Sequence, residues 1–242
     1  MNLLNDLLFV ALPYAAIALA LVGSVYRYRA RGFTYSALSA QFLEGGSTYL
    51  PSMLFHFGIL IVFLGHLIVF LFPDLTLAWH ANTTRLIADE LLFLTFGLGA
   101  AVGLAWLFVR RLSTPRIRVV TSRMDIAIEL LLLAQIALGL WIALGYRWGY
   151  YWFATDLSPY LLSILALSPR VEAINAMPTV IKLHVAGAFL ILALLPFTRL
   201  VHFLVAPFHY IWRNYQQVIW YWDRKRVRAA DTAWTATRPR NN

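Results

Sequence analysis

Histidine is the residue type in this sequence whose positions are most informative about chemistry. His56 and His66 lie ten residues apart in one apolar stretch, and His184 and His202 lie eighteen residues apart in another. Ionisable side chains inside membrane-spanning segments are costly and usually functional. One such histidine could be an ordinary packing residue, but two on each of two stretches indicate a shared functional role.

The spacing of these histidines suits metal coordination between facing helices. A six-coordinate b-type haem needs two axial imidazoles, and two stacked haem groups need two such pairs at different depths. Ten residues of helix rise about 15 Å and eighteen residues rise about 27 Å, with eighteen completing five turns. In antiparallel helices His56 would pair with His202, and His66 would then pair with His184. Helix tilt and a kink at Pro196 must absorb the remaining 12 Å or so.

The composition identifies the surroundings of these histidines as a membrane. Of 242 residues, 61% are hydrophobic and only 13% are charged, whereas about a quarter of residues are charged in soluble domains. This length leaves no room for a separate soluble catalytic domain. The absence of cysteine excludes disulfides, thiolate iron–sulfur or zinc sites and a covalently attached c-type haem. The net charge of +9 bears on membrane orientation, and we expect no nucleic acid partner.

Five apolar runs are each long enough to cross a hydrocarbon core of about 30 Å as a helix. They cover residues 7–26, 54–72, 91–109, 126–144 and 183–205. Sixteen of the 20 basic residues fall on one side of the resulting topology. The positive-inside rule then places the N-terminus outside and the C-terminus in the cytoplasm. The predicted fold class is therefore all-α, a polytopic membrane protein with five transmembrane helices.

Two further segments are predicted to lie at the membrane surface. Residues 146–167 are apolar but interrupted by charged residues and a proline, so we expect an interfacial or re-entrant stretch and no sixth crossing. Residues 212–222 mix aromatic and polar side chains and favour a helix on the membrane surface or against a partner. We divide the chain into a transmembrane domain, 1–215, and a basic cytoplasmic tail, 216–242.

Other residues near the spans allow more than one interpretation. His80 is predicted in a loop where solvent can satisfy it, and His209 beyond the hydrocarbon core, so neither is expected to be a ligand. Gly58, Gly65 and Gly187 lie within a few residues of the four intramembrane histidines. They could leave room for the edge of a porphyrin, or they could serve ordinary close packing of helices.

Four segments resemble the gamma subunit of membrane-bound respiratory nitrate reductase, a di-haem cytochrome b that oxidises quinol. The segments are GSVYRYRARGFTYSALSAQFL (23–43), LFHFGILIVFLGH (54–66), RRLSTPRIR (110–118) and KLHVAGAFLILALLPFTRLVH (182–202). The resemblance extends to about residue 215. Its most specific part is the paired histidine spacing together with LLPFTRLVH.

This resemblance implies two haem b groups, with iron ligands His66 and His184 near the outer face and His56 and His202 near the cytoplasm. It implies that membrane quinol, menaquinol or ubiquinol, is oxidised beside the outer haem and releases protons outside. Electrons would pass through the inner haem to an iron–sulfur beta subunit and a molybdenum alpha subunit, where nitrate is reduced. The chain would lie among the lipids of a prokaryotic cell (inner) membrane and would carry no nitrate site.

The resemblance also implies roles for several polar residues. The family has a quinol-binding lysine at the position of Arg85, and an arginine can donate to a quinol oxygen but cannot relay a proton. We therefore expect Arg85 and His66 as catalytic residues, with His66 or a haem propionate taking the proton; an ordinary loop arginine is the alternative. His80 could lie near the quinol. Arg199 is expected to pair with a propionate of the inner haem or with anionic lipid. Three more residues match the family on the cytoplasmic side: Arg27, Tyr28 and Ser39.

Other functions stay open at this point. A related cytochrome b could anchor a sulfur-metabolism or heterodisulfide-type complex. Intramembrane histidines could also serve a proton or metal transporter. Acidic residues lie mostly in loops and at span ends, with Asp125 and Glu129 the nearest exceptions, which disfavours transport. A purely structural anchor would leave the four histidines unexplained.

Overall fold

The computed structural model describes residues 3–31 and 48–205. These ranges are helical and contain no strand, and five of the helices are long and apolar enough to cross a membrane. The predicted fold class and the predicted number of spans are thereby confirmed. Ser39, His209, the surface helix predicted over 212–222 and the tail 216–242 lie outside the described residues.

The first three spans lie in the N-terminal half of the chain. The first span comprises α1 (Leu3–Asp6), a π-helical segment (Leu7–Ala11) and α2 (Leu12–Arg31). The second and third spans are α3 (Tyr49–Leu71) and α5 (Thr83–Ser113), joined by the short helix α4 (Pro73–His80).

The remaining elements include two more spans and several short helices. A short helix α6 (Pro115–Val119) leads into the fourth span, α7 (Arg123–Gly145). Short helices follow: α8 (Gly149–Trp152), a π-helical segment (Phe153–Leu157), α9 (Ser158–Leu165) and α10 (Glu172–Ala176). The fifth span is α11 (Thr179–Leu194), after which come 3₁₀ segments at Leu195–Phe197 and Arg199–Val205.

Local sequence signals explain where two of the long helices begin. The Asn82 side chain accepts hydrogen bonds from the backbone amides of Thr84 and Arg85, which caps α5. Ser122 and Asp125 form a reciprocal capping box at the start of α7, in which each side chain bonds the other's backbone amide. These caps satisfy amide groups that the first helical turn leaves without partners.

The five spans pack in a consistent order. α3 packs most extensively on α5, α5 on α7, and α11 on both α7 and α2. A Cβ at Gly58 would lie 2.5 Å from the Phe96 carbonyl oxygen, and one at Gly103 would lie 2.6 Å from the Phe55 amide nitrogen. These glycines let α3 and α5 approach closely. By contrast, α3 and α11 approach each other at few points.

The fifth apolar stretch is not the continuous helix that we predicted over 183–205. The helix ends at Leu194, and a 3₁₀ turn containing Pro196 follows. Thr198 then adopts extended backbone angles (φ −117°, ψ 177°) before the second 3₁₀ segment. Proline has no amide hydrogen to continue the helix. The kink predicted at Pro196 is therefore a complete break, and it shortens the rise of the chain.

The segment after the fourth span forms short helices that dock on the ends of two other spans, and it is not among the spans found in the described ranges. Pro13 lacks the amide that would bond the Phe9 carbonyl, and the buried Tyr160 hydroxyl donates to that carbonyl at 2.9 Å. Likewise, Pro73 lies four residues after Val69, whose carbonyl accepts from the Ser158 hydroxyl at 3.1 Å. Side chains of this segment thus replace two hydrogen bonds that prolines remove.

Candidate functional site: two imidazole pairs between α3 and the fifth span

The four intramembrane histidines meet in two pairs between α3 and the fifth span. The ring centroids of His66 and His184 are 6.4 Å apart, with an interplanar angle of 40°. Those of His56 and His202 are 6.5 Å apart, with an interplanar angle of 60°. The pairing is the one that antiparallel helices predict, and the break after Leu194 absorbs the excess rise of eighteen residues over ten.

These separations suit two imidazoles that bind one metal ion from opposite sides. Such rings have centroids about 6 Å apart, because each metal–nitrogen bond is about 2 Å and each centroid lies about 1 Å behind its nitrogen. In the described ranges, no group of three or more His, Asp or Glu could hold a metal ion. Two imidazoles alone suit an ion whose other ligands come from a macrocycle, as in a b-type haem.

Backbone hydrogen bonds select the nitrogen that can act as ligand. Nδ1 of His56 lies 2.8 Å from the Ser52 carbonyl oxygen, Nδ1 of His66 lies 2.8 Å from that of Val62, and Nδ1 of His202 lies 2.6 Å from that of Arg199. A carbonyl only accepts, so each Nδ1 carries the proton and each Nε2 keeps its lone pair. Histidines that bind metals through one ring nitrogen commonly donate the other N–H to a backbone carbonyl in this way.

Several ring nitrogens still need a partner. No described residue hydrogen-bonds to Nε2 of His56, His66, His184 or His202, and the buried Nδ1 of His184 also has none. An imidazole nitrogen without a partner is costly in hydrocarbon, where water cannot reach it. The sparse packing of α3 against α11 leaves these rings accessible to a bound group. The residues present therefore fit two axially ligated haem groups.

The glycines near the histidines serve helix packing, which was one of the two interpretations open from the sequence. A Cβ at Gly65 would meet the Phe93 ring on α5, and one at Gly187 would meet the Gln135 amide on α7. Gly139, which the sequence did not single out, contributes differently. A Cβ there would lie 3.1 Å from Cε1 of His184, so this glycine gives the imidazole its space.

The pair formed by His56 and His202 depends on an arginine that stabilises the helix break. Nη1 of Arg27 donates to the carbonyl oxygens of Pro196 and Thr198, both at 2.7 Å. A Cβ at Gly23, one turn before Arg27, would lie 2.8 Å from Cγ of Pro196. The first span therefore packs against the break and satisfies its free carbonyls. Sequence reasoning placed Arg27 on this side but did not find this role.

Arg199 contacts protein groups where we expected a propionate or lipid. Its Nε donates to Oδ1 of Asp125 at 2.9 Å, and its Nη2 donates to the Val120 carbonyl at 2.9 Å. These bonds tie the segment that carries His202 to the start of α7. On the same helix, Glu129 pairs with Nη2 of Arg111 at 2.7 Å. Both acidic side chains of the fourth span are thus bound to arginine, which disfavours a role in proton transport.

Most of the chain is similar in sequence to known proteins. Residues 5–221 match the family model described as nitrate reductase gamma subunit. The chain belongs to this family. Its relatives include the nitrate reductase gamma chain of Bacillus subtilis, 31% identical over 87% of this chain and 96% of the relative. Two others are the respiratory nitrate reductase 2 and 1 gamma chains of Escherichia coli, 34% and 32% identical. These alignments cover 89% and 90% of this chain and 96% and 98% of the relatives.

Membership of the gamma subunit family establishes the coarse function. The chain is a membrane-embedded subunit of a nitrate reductase, an oxidoreductase complex of several subunits in which catalysis takes place on another subunit. A gamma subunit therefore has no need of a nitrate site of its own.

A cluster of polar and aromatic side chains lies at the other end of the gamma subunit from the helix break. The Arg85 guanidinium lies 4.4 Å from the centroid of the Trp79 ring. Trp79 Nε1 donates to Oδ2 of Asp89 at 3.0 Å, and Nε2 of His80 lies 3.1 Å from the same oxygen. His80 is only 4% exposed, so the expectation that solvent satisfies it was wrong. Sequence reasoning also missed Asp89, which lies one turn after Arg85 on α5.

Proposed function

We propose that this chain is the quinol-oxidising, di-haem subunit of a membrane-bound respiratory nitrate reductase. Family membership supports the complex, and the two imidazole pairs support the cofactors. The observation that carries the proposal is the pair of centroid separations, 6.4 and 6.5 Å, each with Nε2 atoms that no described residue satisfies.

In this proposal, His66 and His184 hold one haem b and His56 and His202 hold the other. When bound, these haem groups carry electrons one at a time across the membrane. The carbonyls of Ser52, Val62 and Arg199 keep the Nε2 lone pairs of three ligands aimed away from their own helix. The backbone thus orients these three imidazoles before a cofactor binds.

The quinol site belongs at the end of the molecule that contains Arg85. The guanidinium is exposed and lies over the Trp79 ring, where it can donate to a quinol oxygen. Exposed apolar side chains on the same side, Phe72 and Leu75, offer a surface for an isoprenoid tail entering from lipid. Because of the distribution of basic residues, we place this end outside the cell membrane of a prokaryote, with the N-terminus.

The opposite end of the molecule faces the partners in this proposal. An iron–sulfur subunit and a molybdenum subunit would dock on the cytoplasmic side, where the arginine-rich ends of the first and third spans lie. The quinol could be menaquinol or ubiquinol. Arg199 is not proposed to hold a propionate, because Asp125 and the Val120 carbonyl engage its guanidinium.

A haem count on the purified chain tests this proposal most directly. We expect two haem b per chain, a reduced-minus-oxidised difference spectrum of b type, and reduction of the haem by added quinol. The same chain expressed without haem supply provides the control spectrum. A correctly inserted protein without haem, despite sufficient haem during growth, would refute the proposal. Reduction by dithionite but not by quinol would contradict the quinol assignment alone.

A further inference from the structure

Arg85 cannot accept a proton, but one of the side chains beside it can. We propose that Asp89, held in place by hydrogen bonds to His80 and Trp79, accepts the protons of the quinol that Arg85 binds and releases them to the outer water. The inference rests on the proposed function, since it requires quinol oxidation at this end of the molecule.

Hydrogen-bond geometry determines how protons are distributed in this cluster. Nδ1 of His80 lies 2.9 Å from the Thr76 carbonyl oxygen, so Nδ1 must be the donor. Nε2 lies 3.1 Å from Oδ2 of Asp89, and two lone pairs cannot face each other at that distance without a proton between them. Oδ2 already accepts from Trp79 at 3.0 Å. One proton therefore lies between Oδ2 and Nε2, and Oδ2 takes part in two hydrogen bonds.

The carboxylate has one oxygen left for a ligand. No described residue donates to Oδ1 of Asp89, and its side chain is 30% exposed, whereas that of His80 is 5% exposed. The His80 side of the pair is thus buried, and the Asp89 side is open to solvent. An open Oδ1 can accept a hydrogen bond from a quinol hydroxyl.

The donor and the acceptor lie on one face of the same helix. Arg85 and Asp89 are four residues apart on α5, the spacing that places side chains next to each other. Both contact Trp79, one through the ring face and the other through the indole N–H. A quinol head group could therefore contact the guanidinium through one oxygen and the carboxylate through a hydroxyl.

Ring contacts connect the cluster to the level of the outer imidazole pair. Phe93, one turn further along α5 from Asp89, packs on Gly65, the neighbour of His66. Tyr150 contacts Phe93 with a centroid distance of 5.9 Å and stacks on His80 at 4.0 Å. One helical turn is about 5 Å, so Asp89 lies close to the level of the proposed outer haem ligand.

The other titratable and charged groups around the pair are occupied or cannot exchange protons near neutral pH. Burial raises the pKa of Tyr150, and the nearby carboxylates of Asp89 and Glu90 raise it further, so this phenol keeps its proton. Glu90 accepts from the Trp148 amide at 2.9 Å. The Tyr151 hydroxyl donates to the His80 carbonyl at 2.7 Å. Glu90 is engaged through one oxygen, whereas Asp89 is the carboxylate that shares the Trp79 side chain with Arg85.

The proposed step balances in protons and electrons. Oxidation of one quinol to quinone breaks two O–H bonds and releases two electrons and two protons. The electrons go to the haem groups of the proposed function. Each proton in turn goes to Oδ1 of Asp89 and leaves to water through the exposed edge of the carboxylate. His80 acts as a positioning residue, because its hydrogen bond to Oδ2 leaves Oδ1 of Asp89 open to the quinol.

The central experiment compares two aspartates on the same side of the haem-loaded protein. Asp89→Asn should slow oxidation of menadiol, a naphthoquinol without an isoprenoid tail, by about a hundredfold or more, the scale of general-base catalysis. Asp74→Asn, which changes an exposed aspartate in α4, should leave the rate unchanged. The haem count should stay the same in both variants. Asp89→Glu, which keeps a carboxylate, should recover part of the rate.

A pH profile separates the positioning role of His80 from a merely structural one. His80→Gln keeps a hydrogen-bond donor for Asp89 but removes the ionisable imidazole. The pH profile of menadiol oxidation should therefore differ from that of the wild-type chain. A pH-dependent carboxylate band in infrared difference spectra should disappear in Asp89→Asn and shift in His80→Gln. This band is independent of turnover and of haem reduction.

Several outcomes would overturn the inference. Wild-type rates in Asp89→Asn would exclude Asp89 as the proton acceptor, and an unchanged pH profile in His80→Gln would exclude the positioning role of His80. If Asp89→Asn lowers the haem count, the rate of Asp89→Glu and the pH profile of His80→Gln decide. A wild-type chain without haem or without menadiol oxidation would refute the proposed function itself, whereas normal wild-type behaviour with unaffected variants refutes only this inference.

Discussion

The two imidazole pairs have almost the same ring separation, but the structure supports them in different ways. His66 and His184 both lie on uninterrupted helices. Around them, the short helices after the fourth span form a buried apolar cluster with the first span, α7 and α11. In the other pair, His56 lies on a helix, whereas His202 lies on a 3₁₀ segment beyond a break. That segment is held by hydrogen bonds from arginines.

This difference indicates where each pair is vulnerable. Apolar packing is spread over many side chains, so the outer pair should tolerate the loss of any one peripheral contact. The inner pair relies on a few charge-assisted hydrogen bonds, and each of these contributes more than a neutral one. Removing a single arginine should therefore disturb the inner pair more than removing a single hydroxyl disturbs the outer pair.

The largest effect is expected from removing one ligand of each pair. His184→Ala and His202→Ala should each lower the haem b content from two per chain to one, since a six-coordinate haem needs both ligands. Only His184→Ala should also abolish reduction by quinol, because the proposed quinol site adjoins the outer pair. Spectra recorded with dithionite and with quinol distinguish these results. Equal loss of quinol reduction in both variants would contradict the assignment of the outer pair.

A smaller effect, confined to the inner pair, is expected from Arg27→Ala. This change leaves the carbonyls of Pro196 and Thr198 without their donor and should destabilise the break by about 1 to 3 kcal/mol. The inner haem should be lost at a lower denaturant concentration, while the outer haem is retained. Arg29→Ala removes an exposed arginine from the same helix and should change neither. Simultaneous release of both haem groups in Arg27→Ala would show that the two ends are not separately supported.

The smallest effect is expected from Tyr160→Phe at the outer end. The Phe9 carbonyl, which Pro13 leaves free, would lose its donor, at a cost of about 1 to 2 kcal/mol in the free energy of unfolding. The ring and its apolar contacts remain, so both haem groups should still bind. Denaturant titration of the purified protein measures the change, with Tyr146→Phe as the matched control. An effect larger than that of Arg27→Ala would reverse the comparison between the two ends.

Much of this architecture could be predicted from the sequence because the bilayer imposes simple rules. Apolar run length predicts the spans, and antiparallel neighbours predict how the four histidines pair. The break after Leu194 was anticipated only as a kink at Pro196, because the sequence does not show how a free carbonyl is satisfied. Arg27 provides that bond from 169 positions away in the chain.

The outer polar cluster was harder to predict for a similar reason. His80 and Asp89 belong to different helices, and a turn at residues 81–82 separates them, so no sequence pattern indicates that they bond. Two prolines did provide a usable signal. Pro13 and Pro73 each remove the amide that would bond the carbonyl four residues earlier, and a buried carbonyl in an apolar helix must find another donor. That rule predicts a side-chain donor for each carbonyl, and the hydroxyls of Tyr160 and Ser158 are these donors.

The uninterrupted course of α3 has a consequence for the distance between the two levels. Because His56 and His66 lie on a single unbroken helix, their vertical offset is determined by ten residues of regular rise, about 15 Å. The irregular backbone after Leu194 brings His202 to the level that this offset requires. One residue inserted between these two positions would rotate one imidazole by about 100° relative to the other and remove it from its partner, whereas an insertion near Thr198 could be accommodated.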